Sequence, residues 1–142
     1  MDKISGCPFK IKMKKEQTKK LVNYFKTIPS LKLVYFFGSR ARKDAGPMSD
    51  HDFAVYFDGI GKSKMFDLRI KILLEITGIL GTDQVDVAQL NFMDQPELEY
   101  AIITEGELIY EIEPSKISLE PYIMNRFFDF REHLRKHKLT KA

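Results

Sequence analysis

The chain has 142 residues, room for one domain at a prior of roughly 100–200 residues each, and its 44% hydrophobic content excludes a disordered chain. Its 23 basic and 20 acidic side chains leave a net charge of +3, too mild for a protein that coats nucleic acid, and the single cysteine, Cys7, excludes an intramolecular disulfide and favours a reducing compartment. No apolar run approaches the roughly 18–20 residues that cross a bilayer, and no signal-peptide core precedes Lys10, Lys12, Lys14 and Lys15, so a cytoplasmic protein without a membrane segment is expected.

From Lys14 to Ile28, Leu21, Val22, Tyr24, Phe25 and Ile28 recur at three- and four-residue steps between lysines, which predicts an amphipathic helix. Pro29-Ser30 breaks it. The β-branched and aromatic run Leu31 to Phe37 then predicts a buried strand ending at Gly38. Ser39 to Met48 is polar and contains Gly46-Pro47, which reads as a loop after one short helical turn. Asp50 to Phe57 predicts a second strand with one polar end, closed by the turn Asp58-Gly59-Ile60-Gly61.

Ser63 to Leu80 is long and apolar enough for a helix packed on a sheet, capped by Gly81. Gln84 to Leu90 alternates valine with Asp86 and Ala88, a third strand with an acid on one face. Asp94 to Thr104 predicts a short helix with Pro96 near its first turn, and Glu107 to Ile112 a last strand stopped by Pro114. The tail from Pro121 to His137, with Tyr122, Phe127, Phe128, Phe130 and Leu134, predicts another amphipathic helix. Four strands and four helices in this order make the class α+β. We expect one domain over residues 1–142, with a core at about 14–112 and a helical extension at 114–142.

The segment from Gly38 to Asp52 carries the chemistry. Strand side chains repeat with period two, so Asp50 and Asp52 stand on one face, where neighbouring like charges repel unless a cation lies between them. Oxygen-only ligands at that spacing suit Mg²⁺ or Mn²⁺. Asp86 supplies a third carboxylate if its strand is a neighbour, and three acids can hold two metals about 3.5–4 Å apart, the arrangement that clamps the attacking and leaving oxygens of phosphoryl transfer. Gly38 lets backbone N–H groups approach a phosphate, Ser39 adds a hydroxyl donor, and Arg40 and Arg42 offer forked donors, Arg42 being the more useful.

Gly38-Ser39, then ten residues, then Asp50-x-Asp52, with Asp86 on a later strand, resembles the signature of the DNA-polymerase-β-like nucleotidyltransferase superfamily. With Phe36-Phe37-Gly38-Ser39-Arg40-Ala41-Arg42 in so short a chain, the sequence looks most like the minimal nucleotidyltransferase group, the MNT antitoxins paired with HEPN toxins. The resemblance covers about Leu21 to Ile112. It implies a palm with a mixed sheet of about four strands flanked by helices, and Mg²⁺-dependent nucleotidyl transfer with two ions, Mn²⁺ being an alternative. In the antitoxin branch it implies AMP transfer from ATP to a tyrosine of the cognate HEPN toxin, with which a hetero-oligomer is allowed; direct nucleic-acid binding is not implied. Asp50 and Asp52 would be metal ligands, Asp86 a ligand or the base for the acceptor hydroxyl, and Gly38-Ser39 the triphosphate holder. The group often has glycine after its Ala-Arg, where this chain has Lys43, and an apolar residue between its aspartates, where this chain has His51.

Other signals carry less. Gly61-Lys62-Ser63 lacks the glycine a P-loop needs at the position of Tyr56. Arg126 and His133 have the spacing used by HEPN ribonucleases, but that all-helical fold does not fit this order of elements. His133 and His137, four apart, lack further ligands, and the lysines from Lys10 to Lys20 read as a solvated face. His51 points away from the acids by the period-two argument. Two alternatives stay open beside protein adenylylation: neutralisation of the toxin by binding alone through the aromatic tail, and transfer to a small molecule such as an aminoglycoside.

Overall fold

Leu31–Phe36 forms the central strand, β1, and its near-continuous apolar run follows from burial on both faces. In the computed structural model, which describes residues 13–37 and 51–137, β1 is flanked by β2 (His51–Phe57) on one side and β4 (Glu107–Glu111) on the other, both antiparallel to it. Strand β3 (Val85–Gln89) lies parallel to β2, giving the mixed order β3-β2-β1-β4. That is the four-stranded mixed sheet the resemblance implies.

Helices cover both faces. On one, Leu21 and Phe25 of α1 (Lys15–Phe25) and Met65, Ile72 and Ile76 of α2 (Lys62–Leu80) pack against Val34, Phe36, Phe53, Val55, Phe57 and Val87. On the other, Ile102 of α3 (Pro96–Glu105) and Leu119 and Ile123 of α4 (Ser115–Lys136) pack against Leu33, Tyr35, Phe37 and Ala54. Alternation along β2 decides which side chain meets which layer. Phe53, Val55 and Phe57 face α1 and α2, and Ala54 faces α3 and α4.

Two ends are closed as their residues require. Gly81 ends α2 at φ +71°, where its N–H reaches the Thr77 carbonyl, a left-handed conformation glycine adopts without steric cost. After β3, a single 3₁₀ turn (Leu90–Phe92) carries Asn91, whose side-chain amide bonds both the N–H (2.9 Å) and the carbonyl (2.8 Å) of Phe57. A side chain thus extends the ladder one step beyond the strand.

One element differs from expectation. Helix α4 starts at Ser115, six residues before the proline at which the sequence pattern set its first turn, so Pro121 lies inside it. An interior proline costs a helix about 3 kcal/mol because it cannot bond to the preceding turn. Burial of Leu119 and Ile123 returns about 1.5–3 kcal/mol each, and the Tyr35 hydroxyl, buried in the sheet, donates to Glu120 between them. Tertiary contacts on both sides of the proline therefore carry the helix through it.

Candidate active site

The parallel register of β2 and β3 sets Asp52 directly opposite Asp86, with His51 opposite Val85 and Phe53 opposite Val87. Residues paired in register point to the same side of a sheet, so the two carboxylates share the face covered by α3 and α4. Each is the second residue of its strand. The site therefore sits at the edge where β2 and β3 begin and β1 ends. The Phe37 N–H donates to the Asp52 carbonyl (2.9 Å), which holds the residue before Gly38 against the first acid of the pair. Gly106 closes in from the other side: a Cβ there would lie 3.3 Å from the Phe37 Cβ and 2.5 Å from the Ile102 carbonyl.

The two acids differ in access. Asp52 is buried, at 2% exposure, and Asp86 is exposed. Gly38, Ser39, Arg40, Arg42 and Asp50 lie outside the described residues, as do Cys7, Lys10 and Lys12. Among the described residues, of which Asp50 is not one, no three potential metal ligands gather. The two described carboxylates, on one face of adjacent strands, are oxygen donors of the kind a hard cation takes.

His51 faces the opposite layer, as period two predicts. Its ring lies 6.0 Å from that of Phe36, and its buried Nδ1 has no hydrogen-bond partner among the described residues. His133 near the end of α4 and His137 just past it lie with ring centroids 4.3 Å apart, with no third ligand among the described residues. Arg126, which shares a ribonuclease-like spacing with His133, has structural work instead: its guanidinium donates to buried Glu99 and to Asp94 (3.1 Å). Glu99 also accepts from the Gln95 N–H (3.0 Å). The sequence held a signal for this acid, because Glu99 stands three and four residues before Ile102 and Ile103, on the apolar face of its helix.

On the α1 and α2 side, Arg69 donates to the Val87 carbonyl (2.9 Å), tying α2 to β3 one residue past Asp86. Asp86 is thus held by its strand pairing on one side and by this buttress behind it.

Three comparisons bear on the chain. A model of the family described as polymerase beta, nucleotidyltransferase matches residues 19–115. The protein adenylyltransferase MntA of Aphanizomenon flos-aquae (strain 2012/KM1/D3) is 32% identical over 94 residues, a match that spans 59% of this chain and 59% of that protein. The fold resembles that in the tri-AMPylated Shewanella oneidensis HEPN toxin in complex with MNT antitoxin, with a TM-score of 0.65 at 17% identity over 87% of this chain and 94% of the matched one. It also resembles a toxin–antitoxin crystal structure with AMP-PNP, at a TM-score of 0.61 and 18% identity over 87% and 94% of the two chains. With the family model covering more than half of its length, including Asp52 and Asp86 in register, the chain belongs to the polymerase beta nucleotidyltransferase family.

Proposed function

We propose that this protein is a nucleotidyltransferase that moves AMP from ATP to a tyrosine of a HEPN toxin in the cytoplasm and thereby acts as its antitoxin. The observation that carries the reading is the register of Asp52 with Asp86 beside the end of β1, in a family of nucleotidyltransferases. The similarity to MntA supports adenylyl transfer to protein. No helix among the described residues is long and apolar enough to cross a membrane, which is compatible with that location.

Asp50, Asp52 and Asp86 are assigned to hold Mg²⁺, or Mn²⁺ in its place, with two ions expected. When bound, the metal neutralises triphosphate charge and stabilises the departing pyrophosphate. Gly38 and Ser39 hold the phosphates through backbone N–H and hydroxyl donors, and Arg40 and Arg42 add guanidinium contacts. The acceptor hydroxyl oxygen bonds to the α-phosphorus, the bond from that phosphorus to the bridging oxygen breaks, and pyrophosphate leaves. Asp86 takes the hydroxyl proton. Its exposure suits it to that task, because an acceptor arriving from solvent reaches it before buried Asp52.

The test is incubation with Mg²⁺-ATP and a candidate HEPN toxin. Mass spectrometry is expected to find an adenylyl group on a tyrosine of that protein, with the rate lowered at least about 100-fold by Asp52→Asn or Asp86→Asn and abolished by a chelator. Full protection from the toxin by a correctly folded Asp52→Asn variant would instead favour neutralisation by binding alone.

A further inference from the structure

Helix α4 is amphipathic twice over. One face carries Leu119 and Ile123 into the core. A second face carries Ile117, Pro121, Met124 and Phe128, at steps of four, three and four residues, which at 3.6 residues per turn form one straight seam. Ile117 is 71% exposed, Phe128 52% and Met124 36%. Three large apolar side chains in line on one helix are not the scattered singles of an ordinary surface.

Acids stand just before the seam and basic residues predominate at its end, with Lys116, Asp129 and Glu132 between them. Glu111 and Glu113 lie exposed just before the helix, and Arg131, Arg135 and Lys136 lie at its far end. If a second α4 runs antiparallel across a two-fold axis at Met124, residues equally distant from Met124 meet. Arg135 of one copy then comes to the end nearest Glu113 of the other, an acid two residues before the helix start, so opposite charges approach each other at both ends, and Arg131 and Ile117, each seven positions from Met124, bring an arginine stem over an exposed isoleucine. Arg135 pairs with Glu132 within its own helix, but both are exposed, so water screens the pair and it exchanges readily. A parallel pairing would put like charges together. We propose that this seam joins two copies of the chain into a symmetric dimer through antiparallel α4 helices centred on Met124. The seam lies on the side of α4 opposite Leu119 and Ile123, so it points away from the sheet that carries Asp52 and Asp86.

Sedimentation velocity on the full chain tests this. The wild type is expected at twice the mass of one chain at micromolar concentration, and Met124→Glu at the mass of one chain with an unchanged circular dichroism spectrum. Arg135→Glu is expected to weaken the dimer at least 10-fold and Glu113→Arg with Arg135→Glu to restore it. In a Cys7→Ser background, Met124→Cys is expected to cross-link to itself through a short bismaleimide. A monomeric wild type overturns the proposal, as does a dimer that Met124→Glu leaves intact. If the wild type is monomeric and Met124→Glu loses only its binding to the toxin, the seam belongs to that partner instead.

Discussion

At Glu99 of α3 a carboxylate is 2% exposed on the side turned to Arg126 of α4, and one guanidinium and one backbone N–H answer it. Removing one partner of a buried pair costs more than the pair contributes, because the other charge is left without compensation. Arg126 is itself about a quarter exposed, so water softens the loss. Arg126→Ala is expected to destabilise the protein by about 2–3 kcal/mol in urea denaturation, and Glu99→Gln in that background to recover part of it. Asp94, almost fully exposed on the other branch of the same arginine, is expected to contribute less than about 0.5 kcal/mol. An equal effect of Asp94→Ala and Arg126→Ala would contradict this division. Neither Asn91 nor Tyr35 announces its bond in the sequence, because both depend on partners far along the chain, Phe57 and Glu120.

Within α4, two opposing demands meet at one turn. Leu119 and Ile123 need the helix in order to reach the sheet, and Pro121 between them withholds a backbone donor. Ile123→Ala is expected to cost about 2–4 kcal/mol through the cavity it leaves, whereas Pro121→Ala is expected to stabilise the protein by about 1–3 kcal/mol. Thermal unfolding of the two variants checks both signs. The same contacts mean that removing residues 121–142 strips Ile123 and Arg126 from the core, so such a truncation reports on folding before it reports on partner binding. Proline at a helix start is the commoner arrangement, and the pattern around Pro121 reads that way until the second core is known. The other elements begin within about two residues of where periodicity puts them, because their apolar faces are uninterrupted.

For the molecule as a whole, tyrosines set an alkaline limit. Burial raises the Tyr35 hydroxyl far above its ordinary value, helped by its bond to Glu120, and burial also raises Tyr24, Tyr56 and Tyr110. An acid whose pKa is raised by folding keeps its proton in the native state after the unfolded chain has released it. The stabilisation is therefore complete below the unfolded value near pH 10 and is lost as pH rises above it. The urea midpoint is expected to hold steady from pH 8 to about pH 9.5 and to fall above pH 10, with a shallower fall in Tyr35→Phe. An unchanged midpoint up to pH 11 would contradict the burial of these hydroxyls.

The sequence alone determined the class of fold and the candidate acids, because both are local. Strand and helix periods repeat over a few residues, and the Asp-x-Asp spacing at 50 and 52 lies within a single segment. Whether Asp86 stands beside Asp52 was conditional on which strands are neighbours. Tertiary structure decided that, through the parallel pairing of β2 with β3 and the crossover of α2 between them. It also decided how buried each acid is, which layer receives His51, and that Arg126 serves Glu99 rather than a site of its own. Each depends on residues far apart in the chain meeting across the sheet, and no pattern within one segment encodes such a meeting.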